Sequence, residues 1–179
     1  MSKKINKLSV FLSLILRHKP EVINIKLDKY GYANVSELIE GVNNSGRFLD
    51  FELLKLIVDT DGRYSFNEDL TKVRANQGHS INVDVELEEK VPPMILYHGT
   101  AVSNVDSIMK KGINKGKRLH VHLTDNKENA LSKGKRYGEP VALVIDAEQM
   151  HKDNFKFFVS KNNVWLTEFV PSKYVKVKE

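Results

Sequence analysis

An acidic run that ends in two consecutive prolines, Val83–Pro93, most restricts how this chain can fold. Proline removes a backbone donor, fixes its own φ and disfavours helical geometry in the residue before it. Neither a helix nor a central strand therefore passes through Pro92-Pro93. Asp84, Glu86, Glu88 and Glu89 make the same stretch polar. This shift in composition predicts a domain over 1–85, a linker over 86–93 and a second domain over 94–179. Each half of the 179-residue chain then has about 80–90 residues, enough for a modest core.

The hydrophobic pattern changes across that boundary. Before it, Leu8, Phe11, Leu12, Ile15 and Leu16 recur at helical spacing, and Pro20 predicts a helix end near Arg17–Lys19. Ile23, Ile25 and Leu27 alternate over a short extended piece that turns at Asp28–Gly31. Asn34 with Glu37 reads as a capping box for a second helix carrying Val35, Leu38, Ile39 and Val42. Asp50 caps a third helix with Leu53, Leu54, Ile57 and Val58, and Asp61-Gly62 marks a turn into two extended runs, Arg63–Phe66 and Lys72–Asn76. Three short helices and a hairpin suggest a winged-helix module.

After the boundary, Met94–Tyr97 reads as a strand entering His98-Gly99-Thr100, and Val102, Val105, Ile108 and Met109 as a helix stopped by Gly112. Leu119, Val121 and Leu123 alternate with Arg118, His120, His122 and Thr124, and Asp125 with Glu128 caps a further helix. Val141–Ile145, Phe155–Val159, Val164–Val170 and Tyr174–Val177 are strand candidates. One sheet with two short helices makes this half α+β, and the chain as a whole is expected to be α+β.

There is no cysteine, so disulfides and thiolate metal sites are excluded. Leu8–Leu16, the longest strongly apolar stretch, is far shorter than the roughly 20 residues needed to span a bilayer. No signal peptide, membrane anchor or membrane partner is expected. With 28 Lys and Arg against 23 Asp and Glu, the formal charge is +5. A mild excess of this size permits a polyanionic partner, but on charge alone a solvated basic surface is the favoured reading.

Several charged residues collect near element ends. Arg17-His18 falls in the last turn of the first helix, where cations favour the helix dipole whatever else they do. Arg63 opens the hairpin, a position where surface arginines are common. Arg74-Ala75-Asn76-Gln77-Gly78-His79-Ser80 offers backbone N–H groups, a guanidinium fork and a hydroxyl, which suits a phosphate and equally suits an interdomain loop. In Tyr97-His98-Gly99-Thr100 the glycine lets a ligand approach the backbone and the following helix start favours an anion, or Thr100 simply caps that helix. Arg118, His120 and His122 share one face of a strand. His-x-His can ligate a metal, but no third ligand stands at matching spacing, so no metal is expected. Neither a Gly-x-x-x-x-Gly-Lys-Ser/Thr loop, nor Gly-x-Gly-x-x-Gly after a strand, nor a nucleophile elbow occurs.

Taken together, Leu16-Arg17-His18-Lys19-Pro20, Gly62-Arg63-Tyr64-Ser65-Phe66, Arg74–Ser80, Tyr97-His98-Gly99-Thr100, Arg118 with His120-Val121-His122-Leu123, and Val164-Trp165-Leu166-Thr167 resemble the RNA 2′-phosphotransferases (KptA/Tpt type) in order and spacing. The resemblance spans nearly the whole chain. It implies an N-terminal winged-helix lobe followed by a C-terminal ADP-ribosyltransferase-like lobe, with the active site between them. It also implies an Arg-His-Arg-Arg catalytic set, matching Arg17, His18, Arg63 and Arg118. Tyr64 stands where the family has phenylalanine after the third arginine, and Arg74 is the alternative for that arginine.

The implied reaction uses NAD as co-substrate and no metal. The RNA 2′-phosphate displaces nicotinamide from the adjoining ribose, and the ribose 2″-OH then attacks the phosphorus. RNA with a free 2′-OH and ADP-ribose 1″,2″-cyclic phosphate result. Guanidinium groups hold a dianionic phosphate bidentately without titrating, which suits Arg17, Arg63 and Arg118. His18 suits phosphoryl stabilisation or proton handling. By the same resemblance, His98, Gly99 and Thr100 bind the adenosine side of NAD, with His120 and Arg136 beside them. Arg74 and His79 contact RNA or the transferred phosphate. Trp165 either stacks on nicotinamide or belongs to the core. The expected partner is a 2′-phosphorylated, tRNA-like RNA, and the expected setting a cytoplasmic monomer. Two rivals remain: a protein or nucleic-acid ADP-ribosyltransferase using Glu168, and a winged-helix DNA-binding regulator.

Overall fold

In the computed structural model, which describes residues 3–177, the chain divides into two units, Met1–Glu86 and Leu87–Glu179. Among the described residues no helix is long and apolar enough to cross a membrane. Helices and small antiparallel sheets share both units, an α+β arrangement.

The first unit begins with α1 (Lys3–Arg17), whose Leu8, Leu12, Ile15 and Leu16 lie in the core at helical spacing. The helix stops where Pro20 opens a single 3-10 turn, Pro20–Ile23. The alternating Ile23, Ile25 and Leu27 do not make a strand. Asn24 takes a left-handed conformation (φ 56°) that rotates both Ile23 and Ile25 into the core. The strand comes later, as β1 (Tyr32–Asn34). Asn34 then caps α2 (Val35–Asn44) by accepting from the backbone of Ser36 and Glu37, and Asp50 caps α3 (Phe51–Thr60) by accepting from Leu53. Each cap satisfies amides the helix itself cannot and contributes about 1 kcal/mol. The hairpin β2 (Tyr64–Phe66) and β3 (Lys72–Ala75) completes a three-stranded sheet in the order β1-β3-β2. The central strand β3 pairs Arg74 with both Tyr32 and Ser65.

The second unit starts inside the acidic segment expected as a linker. Glu88 and Glu89 form β4, paired with Val159 and Phe158 of β9 (Phe158–Val159). The strand that begins at Ile95 runs on through the His98-Gly99-Thr100 motif to Ala101 (β5) and pairs along its whole length with β8 (Pro140–Asp146). A short 3-10 turn, Val102–Asn104, precedes α4 (Val105–Lys111), which Gly112 ends at φ 76°. Next come β6 (Ile113–Asn114), β7 (Val121–Leu123) and α5 (Lys127–Gly134). The α5 cap is Asn126, which accepts from Asn129, one residue later than the Asp125 expected. Asp146 caps α6 (Ala147–Lys152), which carries the buried Ala147 and Met150 and was not expected. The expected strand Val164–Val170 is split into β10 (Trp165–Thr167) and β11 (Phe169–Val170), and β12 (Val175–Val177) joins β8.

These strands form three small sheets, β4-β9-β10-β7, β11-β6 and β12-β8-β5. A bridge from Tyr97 to Thr124 ties β5 to the end of β7 through paired backbone hydrogen bonds of 2.7 and 3.0 Å. Leu96, Leu143, Ile145 and Phe157 fill the core between the layers. Trp165 packs against that core, partly buried.

Candidate active site

In the first unit the end of α1 is braced from one loop. His18 keeps helical register by donating its backbone N–H to Leu14 (3.0 Å), and Ser80 donates its own to the Arg17 carbonyl (3.0 Å). The Ser80 hydroxyl lies 2.9 Å from His18 Nδ1. Gly78 passes so near Arg17 that a Cβ there would sit 3.5 Å from Nη1. The same loop anchors the turn before the hairpin. The Asn76 backbone donates to the Arg63 carbonyl (2.8 Å) and its side chain to Gly62 (2.9 Å). Arg17, His18 and Arg63 are therefore positioned by one polar segment, 76–80. The hydrogen bonds of Asn76 and Ser80 hold these residues in place.

His79 lies beneath, 1% exposed, with its pKa pushed down to about 4. Burial does most of this, and the charges on Arg17, His18 and Arg74 add to it. Every charge that acts on this imidazole is positive. His79 is thus a neutral core histidine, which leaves the expected RNA contact to other groups.

Arg63 is two-thirds buried and already held. Its Nε donates to Asp61 Oδ1 (2.7 Å), and its Nη2 donates to Asp61 Oδ2 (2.5 Å) and to the Ser9 hydroxyl (2.9 Å). Burial alone would raise the Asp61 pKa. The bonds from Arg63 and Ser9 outweigh it and hold the carboxyl below its ordinary range. The Nε–Nη2 edge is fixed in this way, so an incoming anion would meet the Nη1 edge. Arg17 and Arg63 both act electrostatically on the buried Tyr64 hydroxyl, which donates to the Ser9 carbonyl (2.5 Å).

Arg74 lies elsewhere. It points from the middle of β3 under the Tyr32 ring, 4.5 Å from its centroid, and is 4% exposed. Its Nη1 donates to the Tyr30 carbonyl (3.2 Å) and to Glu86 (3.0 Å). This is a structural commitment, and between the two arginines proposed for the third place it leaves Arg63 the accessible one.

In the second unit the bridge between β5 and β7 sets His98 beside His122. His98 Nδ1 donates to the His122 carbonyl (3.1 Å), which leaves Nε2 as the acceptor of a neutral ring. The pKa of His98 is lowered by burial first and then by Lys133 and Arg118. Arg118 was expected on the face of a strand, but β7 begins only at Val121. Arg118 stands in the preceding bend, where its Nη1 donates to His122 Nδ1 (3.2 Å). His120 lies in that bend too, against the Phe158 ring. Its pKa is lowered by burial and Lys115, with Glu168 opposing. Glu168, the carboxylate of the rival reading, is a largely exposed partner of Lys115 (3.3 Å).

The helix α5 supplies what the sequence reading missed. Lys133 keeps contact with solvent, yet its pKa is lowered by the protein packed around it and then by Arg118 and Arg136. Its signal was α5 itself, which sets residue 133 one turn beyond Ala130, the contact point on β5. Gly99 lets this helix pack directly against β5. A Cβ there would lie 1.8 Å from the Ala130 carbonyl oxygen. Thr100 is buried and its hydroxyl accepts from Asn104 (3.1 Å). Arg118 and Lys133 thus act on a neutral His98, and Arg136 acts on Lys133, a run of like charges that an anion would stabilise. Among the described residues no group of three His, Cys, Asp or Glu could hold a metal ion.

An α+β protein with Arg17 and His18 at one helix end and Arg118 and Lys133 beside His98 presents cationic groups of the kind that suit anionic ligands. Comparison with known proteins narrows the class. The family model for RNA 2′-phosphotransferases, Tpt1/KptA family, matches residues 3–169, and the chain belongs to that family. A protein of Fusobacterium nucleatum is 58% identical over 173 residues, covering 95% of this chain and 97% of its own length. One from Flavobacterium johnsoniae is 49% identical over 181 residues, covering 99% and 100%, and one from Acaryochloris marina is 43% identical over 176 residues, covering 97% of each chain. All three carry the name "Probable RNA 2'-phosphotransferase".

Proposed function

We propose that this chain removes an internal 2′-phosphate from RNA and passes it to ADP-ribose, with NAD as co-substrate. The observation that carries the reading is the match to the RNA 2′-phosphotransferase family over residues 3–169, and Lys133 is the feature of the second unit that suits an anionic co-substrate. An accessible lysine whose ammonium is disfavoured by its surroundings and by Arg118 and Arg136 is relieved when an anion binds. The pyrophosphate of a dinucleotide is such an anion, so the donor set fits NAD. Lys133 and Arg136 would hold the pyrophosphate, and His98 Nε2 would accept from a ribose hydroxyl or the adenine amine.

The first unit is then the lobe that receives RNA. Its three helices beside a small antiparallel sheet support a winged-helix assignment. The second unit is the ADP-ribosyltransferase-like lobe. Arg17 and Arg63 of the first unit are assigned to neutralising the 2′-phosphate, so that an oxygen of this dianion can displace nicotinamide from the ribose carbon, and Arg118 keeps its place in the catalytic set that the resemblance implies. In the second step the neighbouring ribose hydroxyl attacks the phosphorus, its proton departs, and the RNA 2′-oxygen leaves and takes up a proton. Fixed guanidinium groups stabilise the charge that builds on the phosphoryl oxygens, and the Ser80–His18 contact orients the imidazole for proton transfer.

Incubation with a 2′-phosphorylated oligoribonucleotide and NAD, followed by mass analysis, tests this. The expected products are RNA with a free 2′-OH, nicotinamide and ADP-ribose 1″,2″-cyclic phosphate. Arg17→Ala or His18→Ala is expected to stall the second step and accumulate ADP-ribosylated RNA. Turnover of either variant at the parental rate would remove that residue from the mechanism. ADP-ribose left permanently on protein or RNA by the parent would favour the ADP-ribosyltransferase alternative.

A further inference from the structure

Away from these residues, but within the same unit, an open groove of about 720 Å³ runs along α1. Its walls include Lys4, Lys7, Phe11, Leu14, Arg47 and Phe48, and no carboxylate lines it. Phe48, in the loop between α2 and α3, is 70% exposed. Arg47 lies over the Phe11 ring, its guanidinium carbon 3.7 Å from the centroid. Val10, Leu14 and Phe48 are exposed together along this groove, and a contiguous apolar patch rimmed by cations marks a binding surface.

The groove is continuous with His18. Lys4, Lys7, Phe11, Leu14 and His18 follow one another at intervals of three and four residues, which places them on a single face of the helix. His18 extends that face because its backbone still bonds to Leu14. At 1.5 Å per residue the stripe is roughly 20 Å long. At one end stand residues assigned to the 2′-phosphate, in the middle lie Phe11 and Leu14, and at the other end stand Lys4 and Lys7.

We infer that this face of α1, with Arg47 and Phe48, is a track for the single-stranded RNA that flanks the 2′-phosphate. The inference rests on the phosphotransferase reading. Bases stack on exposed aromatic rings and on guanidinium planes without regard to sequence, while Lys4 and Lys7 meet backbone phosphates. An acidic partner protein would satisfy the charges, but it would not account for exposed Phe48 and the Arg47–Phe11 contact on the helix face that leads to His18. The track makes the enzyme select for the strand around the phosphate, beyond the phosphate itself.

The test compares a 2′-phosphorylated RNA decamer with a 2′-phosphorylated dinucleotide, using parent, Phe48→Ala and the double variant Lys7→Glu/Arg47→Glu. Phe48 is exposed, so its removal leaves the fold intact. The decamer kcat/KM is expected to fall about tenfold for Phe48→Ala, the loss of one stacked base, and further for the charge reversal. The salt dependence of decamer binding by the double variant should flatten by at least about 0.7 in log–log slope, the share of the phosphate that Lys7 no longer neutralises. Dinucleotide turnover should stay parental. Equal effects on both substrates, or none, would overturn the track. Fluorescence anisotropy with an unphosphorylated decamer separates the two readings. If the parent turns over neither substrate, the phosphotransferase reading fails, and weaker decamer binding by the variants still supports the track. Parental decamer binding by both variants, with Phe48→Ala abolishing concentration-dependent self-association in sedimentation, would assign the groove to a second copy of the chain.

Discussion

Gly99→Ala probes how the fold places Lys133. The strand β5 and the helix α5 touch backbone to backbone at two points. A Cβ on Gly99 would lie 1.8 Å from the Ala130 carbonyl oxygen, and one on Gly134 would lie 2.5 Å from the Thr100 carbonyl oxygen. Ordinary contact begins at 3.4 Å, so alanine at 99 drives α5 outward by roughly 1.6 Å, and no flexible side chain can absorb the shift. Overpacking of this kind costs about 1–3 kcal/mol, and a backbone collision belongs at the upper end. For a unit of this size each kcal/mol lowers Tm by about 4–8 °C, so a fall of about 15 °C is expected. The single tryptophan, Trp165, lies in the second unit, and its fluorescence follows unfolding there selectively. Lys133 travels with α5 away from His98, so the dissociation constant for NAD, measured by calorimetry, should rise in parallel. A variant that melts within about 2 °C of the parent and binds NAD as tightly would refute the backbone-contact account.

The other expectations follow from the same geometry. Lys133→Met should weaken NAD binding about tenfold, as removal of one charge-assisted hydrogen bond does, and leave the melting temperature near the parent's, which titration calorimetry and thermal melts check together. Asp61→Asn removes the charge that fixes the Nε–Nη2 edge of Arg63. It should cost about 2 kcal/mol in urea unfolding, below the figure for a fully buried pair because Arg63 is 32% exposed, and should lower kcat for RNA more than it raises KM. His79 sets an acid limit on the first unit. The unfolded chain takes up a proton near pH 6.5 that the folded chain refuses until about pH 4, so stability is complete above 6.5 and falls as pH drops through that window. Between pH 7 and pH 5 the loss should be about 2 kcal/mol, and His79→Gln should flatten the slope. An identical slope in the variant would rule out His79 as the titrating group.

Much of the first unit could be read directly, because its signals are local. Leucine and isoleucine at helical spacing, Asn34 and Asp50 as caps, and Pro20 as a stop act within a few residues of themselves. The second unit was harder. Its strands are two to seven residues long and pair across long separations, so alternation located β5 and β8 but could not divide β10 from β11 or find β4 in an acidic segment. The short α6 hid among strand candidates because its apolar residues, Ala147 and Met150, are too few to show a period.

The candidate site divides along the same line. Residue type alone, through the resemblance it supports, singled out Arg17, His18, Arg63 and Arg118, because a guanidinium or an imidazole is needed wherever it stands. Which cations are presented and which are consumed was decided by packing. Arg74 and His79 look like phosphate ligands on paper. The fold buries one under Tyr32 and the other beneath Arg17, where hydrogen bonds and desolvation govern them. Gly99 looks like room for a ligand, and it makes room for a helix. Lys133 carries no motif, and it acquires its environment only when α5 closes on β5. Sequence thus determined the chemical groups and the local turns. The tertiary structure alone decided their company, because burial, field and hydrogen-bond partners are set by residues distant along the chain.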